Sequence, residues 1–134
     1  MKAEEKKCMP HDHGEEEKLE RLEDFMPQTE SFQTVADVFR QMGDGTRVRI
    51  FWALCHIEEC VTNISALMDM SSPAVSHHLK QLKSAGLIVS RRIGKEVYYK
   101  AADTETAQLL HHMIEEVVRI ECPEEGNLED VQNV

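Results

Sequence analysis

The segment SSPAVSHHLKQLKSAGLIVSRRIGKEVYYK, residues 71–100, is punctuated by a serine pair, a proline and two glycines that together leave few ways to fold. Ser72 can accept hydrogen bonds from the free amides of a first helical turn, and Pro73 suits the first helical position, where no amide donor is needed. Val75, Leu79 and Leu82 recur at helical spacing and turn one face inward, leaving Ala74, Ser76, His77, His78, Lys80 and Gln81 partly or wholly outward. Gly86 supplies a left-handed stop. Leu87, Ile88 and Val89 then begin a strand that Arg91 and Arg92 continue, Ile93 to Glu96 can turn, and Val97, Tyr98 and Tyr99 return. The pattern predicts a helix followed by a hairpin with a basic tip.

That order is the layout of a winged helix-turn-helix, so the fold is read as mainly α with a two-stranded β-wing. Residues 71–100 hold six Lys/Arg against one acid, net +5, in a chain whose formal charge is −10. A basic face on an acidic protein neutralises phosphates locally, while the remainder repels DNA in wrong orientations. Double-stranded DNA is therefore the expected partner. Ser72, Ser76, His77 and His78 fall in the first half of the expected recognition helix, where short side chains permit close groove approach and free amides attract phosphate. Lys80, Arg91, Arg92 and Lys95 are expected to hold the backbone. His77 has a second reading, as a hydrogen bond between packed helices.

Around this segment, residues 1–30 read as a flexible charged tail with a Cys/His cluster, 31–121 as the DNA-binding and dimerisation domain, and 122–134 as an acidic tail. Further helices are expected from about Ser31 to Gln41, from Thr46 to about Ile57 after the break at Gly43-Asp44-Gly45, and from Asn63 to Met68. Asp103 caps a last helix whose apolar stripe, Ala107, Leu110, Ile114, Val117 and Val118, is expected to pack on a dimer mate. A single domain of this size buries a modest core, so dimerisation is a natural supplement. The N-terminus is charged from Lys2 onward and the longest apolar run, Val48 to Cys55, is interrupted by Arg49, so no signal peptide or membrane span is expected and the location reads as cytoplasmic. There, Cys8, Cys55, Cys60 and Cys122 are thiols or metal ligands rather than structural disulfides. No nucleophile, base and orienting group fall at a familiar spacing, so an enzyme is not expected.

From Phe32 to Arg119 the chain resembles the ArsR/SmtB family of bacterial metal-responsive repressors. The resemblance is carried by VADVFRQMGDGTRVRIFWAL, EECVTNISALMDM, SSPAVSHHLKQLKSAGLI and the RRIGKEVYY wing, in the family's order. It implies a homodimer joined through the first and last helices that sits on an inverted-repeat operator and leaves it when a metal inducer binds.

Two sets of metal ligands follow. In the tail, Cys8, His11 and His13 form a Cys-x-x-His-x-His cluster with nothing nearby to pack against, which favours metal binding. The family's thiolate motif before the turn corresponds to Cys60-Val61-Thr62-Asn63, so the resemblance adds Cys60 to Cys8, His11 and His13 as a site for Zn, with Cd as a softer competitor. Cys60 also suits the core as a small hydrophobe. The alternative site lies on the last helix, where Glu105, His112 and Glu116 share a face, and Asp103 and Glu105 of one copy could approach His112, Glu115 or Glu116 of an antiparallel partner to hold Zn, Co, Ni or Mn. There the family pattern is kept only at Asp103; Glu105 and Glu116 stand at histidine positions and Arg119 where a final ligand is expected, so a rearranged site using His111 or His112 is also considered. Two other functions share the scaffold: a thiol-redox repressor using Cys8, Cys60 or Cys122, and a winged helix that binds protein.

Overall fold

The computed structural model describes residues 9–125. The elements are α1 (Glu16–Phe25), α2 (Thr29–Gln41), α3 (Gly45–Leu54), β1 (Glu59–Cys60), α4 (Val61–Met68), α5 (Ser72–Ser84), β2 (Ile88–Ile93), β3 (Glu96–Ala101) and α6 (Glu105–Glu121). They fall into two compact units divided between Val35 and Ala36.

The first unit contains α1 and the start of α2. Residues 16–25, read from sequence as part of a flexible tail, are helical. Good helix formers surround Leu19 and Leu22, Glu16 and Glu17 lie in the first turn where negative charge offsets the helix dipole, and extended Met26 before Pro27 ends the helix. No residue of α1 is buried.

The second unit has the core. Ile50, Phe51 and Leu54 of α3, Ile64 and Met68 of α4, Val75, Leu79 and Leu82 of α5, Leu87, Ile88, and Ala107 and Leu110 of α6 form one buried cluster. Asp44 caps α3 by accepting from the Arg47 N–H at 3.0 Å. α3 ends at Leu54, short of Ile57, because the chain must straighten for Glu59 and Cys60 to pair with β3. α4 starts at Val61, two residues before the expected Asn63, and closes on left-handed Asp69 (φ 54°), with the Met70 N–H donating to Ser65 at 3.0 Å. The cap of α5 is Ser71, not Ser72: its Oγ accepts from the Ala74 N–H at 3.3 Å. Ser72 is the first helical residue, with its Oγ 3.3 Å from Ser65 Oγ.

Gly86 (φ 75°) ends α5 as its sequence position implies: Leu87 N–H donates to Leu82 and Gly86 N–H to Lys83, each at 3.0 Å, while Leu82 and Leu87 meet in the core. β2 and β3 then pair antiparallel from Ile88↔Ala101 to Ile93↔Glu96, turning at Gly94 (φ 63°). These two strands are the expected wing, and they belong to a three-stranded sheet. β1 adds on the other side of β3, through Glu59↔Tyr99 and Cys60↔Tyr98, giving the order β1-β3-β2. Thr104 rather than Asp103 caps α6, accepting from the Ala107 N–H at 3.2 Å, while Asp103 Oδ1 accepts from Gln108 Nε2 at 2.9 Å. The α6 stripe divides: Ala107 and Leu110 enter the chain's own core, whereas Leu109, Met113, Val117 and Ile120 are exposed.

Candidate nucleic-acid interface

α4, the tight turn at Asp69–Ser71 and α5 form the helix-turn-helix. With Val75, Leu79 and Leu82 fully inside, Ser76, His77 and Lys80 stand exposed on the outer side of α5, while Ser72, exposed at its first turn, faces Ser65 of α4. His78 differs. It is half-buried, and its Nδ1 accepts from Arg47 Nε at 3.4 Å, while Arg47 Nη1 donates to buried Gln41 Oε1 at 3.1 Å. The helix-packing hydrogen bond considered for His77 is therefore made by His78, which braces α5 against α3.

The wing arginines also part company. Neighbours in a strand point to opposite faces, and Arg91 turns to Glu58: Nε reaches the two carboxylate oxygens at 2.9 and 3.0 Å, and Nη2 adds a further contact. Arg91's hydrogen bonds hold the Glu58 carboxyl below its usual range, and Glu58 raises Arg91 in return. Arg92 and Lys95 are exposed. Lys83 Nζ donates to Ser90 Oγ at 2.6 Å, tying α5 to the wing.

The expected metal ligands are distributed as follows. Cys8 lies outside the described residues. In the first unit, His11 and His13 are exposed, their rings stacked with centroids 5.8 Å apart. In the second, Cys60 is buried at 6% exposure ahead of α4, and Asn63 Nδ2 donates to Glu59 Oε2 at 2.8 Å. On α6, Asp103, Glu105 and His112 are exposed, and Glu116 Oε2 accepts from Arg119 Nη2 at 2.9 Å and Nε at 3.2 Å, which holds its carboxyl low. Those four do not converge within one protomer.

A different trio does converge: His56, His111 and Glu115, with ligand atoms all within 4.8 Å of one another. Burial, and then the neighbouring His111, lower the pKa of His56, with Glu115 acting the other way. Spacing marks only two of the three, because His111 and Glu115 are one helical turn apart whereas His56 is brought in by the fold. Adjacent Cys55 is half-buried, and burial together with the charge of Glu115 pushes its thiol up to about 12, consistent with a core role. Cys122 is exposed.

A helix-turn-helix with a polar outer face, followed by a basic hairpin, defines a winged helix-turn-helix DNA-binding protein. The model of the arsR family of bacterial regulatory proteins matches residues 44–90. A transcriptional repressor SmtB homolog from Synechocystis sp. is 37% identical over 94 residues, 68% of this chain and 71% of the relative. A cadmium resistance transcriptional regulatory protein CadC homolog from Staphylococcus aureus is 39% identical over 77 residues, 57% of this chain and 64% of the relative. The solution structure of the homodimeric winged helix-turn-helix domain of a possible ArsR-family regulator from Mycobacterium bovis matches with a TM-score of 0.64 at 29% identity, over 76% of this chain and 93% of that one. The chain belongs to the ArsR family. It is a DNA-binding transcriptional regulator, as its relatives are, and not an enzyme. Among the described residues no helix is long and apolar enough to cross a membrane.

Proposed function

We propose that this protein is a cytoplasmic repressor that binds an inverted-repeat operator as a homodimer and is released by a divalent transition-metal ion. The observation that carries the DNA reading is the exposed row Ser76, His77 and Lys80 on α5, together with Arg92 and Lys95 on the wing, backed by the core. Each copy lays α5 in a major groove, with Ser72, Ser76 and His77 toward base edges and phosphates and the wing cations on the backbone. Half-buried His78 acts from behind by positioning α5. Dimerisation is supported by the uncovered apolar side chains Phe39, Leu109, Met113, Val117 and Ile120, since an exposed patch of this kind marks an interaction surface, and by the homodimeric M. bovis relative.

The inducer class draws support from the names of the relatives, a SmtB homolog and a cadmium resistance regulator. Zn is the first choice, with Cd, Co and Ni as competitors. The ligands proposed from sequence are Cys8, His11, His13 and Cys60, or Asp103, Glu105, His112 and Glu116 across the dimer. Release requires the ion to bind the operator-incompetent form more tightly, a coupling of about 1–3 kcal/mol in typical allosteric proteins.

The test begins by selecting duplexes from a random pool with the full-length protein, which should enrich an inverted repeat with half-sites about one helical turn apart. Binding to the selected duplex is then titrated with Zn(II), Cd(II), Co(II), Ni(II) and peroxide. A metal should weaken binding about 5-fold to 150-fold. Failure to enrich any repeat refutes operator binding; loss with peroxide alone replaces metal with thiol oxidation. Met113→Glu should shift sedimentation toward monomer and weaken operator binding, and an unaltered dimer would refute the assigned interface.

A further inference from the structure

His56, His111 and Glu115 meet within one protomer where the end of α3 reaches α6, and His56, which the fold brings in, belongs to no ligand set above. His56 Nε2 and His111 Nε2 are 3.1 Å apart, Glu115 Oε1 is 2.5 Å from His111 Nε2, and it is 4.0 Å from His56 Nε2. Donors about 2.1 Å from one ion stand about 3.0 Å apart at a right angle and about 3.4 Å apart at the tetrahedral angle. The two imidazoles already match that separation, and a carboxylate shift of about 1 Å between them completes the set.

The surroundings hold the donors in place. His111 and Glu115 are fixed one turn apart on α6, the His56 N–H donates to Ala53 O at 2.9 Å, and the Trp52 indole leans on the His56 ring with centroids 4.6 Å apart. With side-chain exposures of 13% for His56, 27% for His111 and 17% for Glu115, the cluster is shielded but still reached by water. Three donors with an open position suit an ion that completes its shell with water.

We propose that His56, His111 and Glu115 form a metal site within a single protomer for a borderline divalent ion such as Zn(II), Co(II) or Ni(II). Two imidazoles and one carboxylate favour these over Mg(II) and Ca(II), which prefer all-oxygen shells, and the set contains no thiolate to select a soft ion. A bound ion would cross-link α6 to the segment that continues through Glu58, the partner of Arg91, into β1. Such an ion could bind here whether or not it releases the operator.

Trp52 is the only tryptophan of the chain, so it reports locally. Paramagnetic Co(II) added to the metal-free full-length protein should quench Trp52 fluorescence, and diamagnetic Zn(II) should reverse the quenching by competition. His56→Ala, His111→Gln and Glu115→Gln should each shift the Co(II) midpoint about 100-fold or more, beyond the 10–100-fold typical of losing a supporting residue around a metal. Glu121→Gln, at an exposed position of α6 outside every ligand set, should leave it in place. Circular dichroism shows which variants fold, and the conservative Gln variants keep the test open if His56→Ala does not. Absence of quenching in the wild type, or quenching indifferent to all three substitutions, overturns the site. Quenching with unchanged operator affinity upholds the site and refutes metal release; operator release without quenching does the reverse.

Discussion

The division of labour between Arg91 and its neighbours sets a measurable salt dependence. In each protomer Glu58 engages Arg91, leaving Arg92 and Lys95 as exposed cations at the wing tip. Replacing both with glutamine removes four positive charges from a dimer. Each neutralised phosphate contributes about 0.9 to the slope of log Kobs against log salt, so the slope should flatten by about 3.6, and affinity at about 0.15 M salt should fall about a thousand-fold. The assay is fluorescence anisotropy with the selected duplex and with a scrambled duplex across roughly 0.05 to 0.3 M KCl. Phosphate contacts carry no sequence information, so both duplexes should weaken alike. Both side chains are exposed, and the melting temperature should not move. A folded double variant whose slope changes by less than about 1 would refute the placement of the wing on the backbone.

Glu58→Gln should free Arg91 and steepen the slope by up to about 1.8 in a dimer, and an unchanged slope would show that Arg91 cannot reach DNA even when released. Leu79→Ala, at a core position 1% exposed, should cost about 2–5 kcal/mol, and each kcal/mol lowers the melting temperature of a small domain by about 4–8 °C. A melting curve by circular dichroism that moves less than about 4 °C would mean α5 is not anchored as described. The Arg47 N–H holds the Asp44 carboxyl below its ordinary range. Because the folded value is depressed, the stabilising contribution is present above the unfolded value of about 3.9 and is lost as pH falls through the folded value. An NMR titration should place the Asp44 midpoint below 3.8, and a midpoint at or above that value would remove the cap.

The α5–wing segment could be read in advance because its signals are local: Val75, Leu79 and Leu82 repeat at helical spacing, and Gly86 and Gly94 stand at positive φ. The errors arose where neighbours in sequence compete or distant residues meet. Ser71 and Ser72 are equally good caps on paper, as are Asp103 and Thr104, and the helix begins one residue away from the expected place in each case. β1 is two residues long and shows no alternation, so its pairing with Tyr98 and Tyr99 has no trace in the pattern. Glu58 finds Arg91 across 33 residues and His56 finds His111 across 55, and such encounters are products of packing. The same holds for His78, whose turn toward Arg47 separates it from adjacent His77.

β1 sits between parts that sequence treats as separate. It leads directly into α4, pairs with the returning strand of the wing, and the wing is tied to α5 through Lys83 and Ser90. α5 and the hairpin, one reading head, are consequently held together at two places, through β1 and through the Lys83–Ser90 hydrogen bond. Two such heads in a dimer behave like the jaws of a caliper. If the proposed dimer binds an inverted repeat, the spacing of its two heads gauges the distance between half-sites, and lengthening the spacer by a base pair should weaken binding.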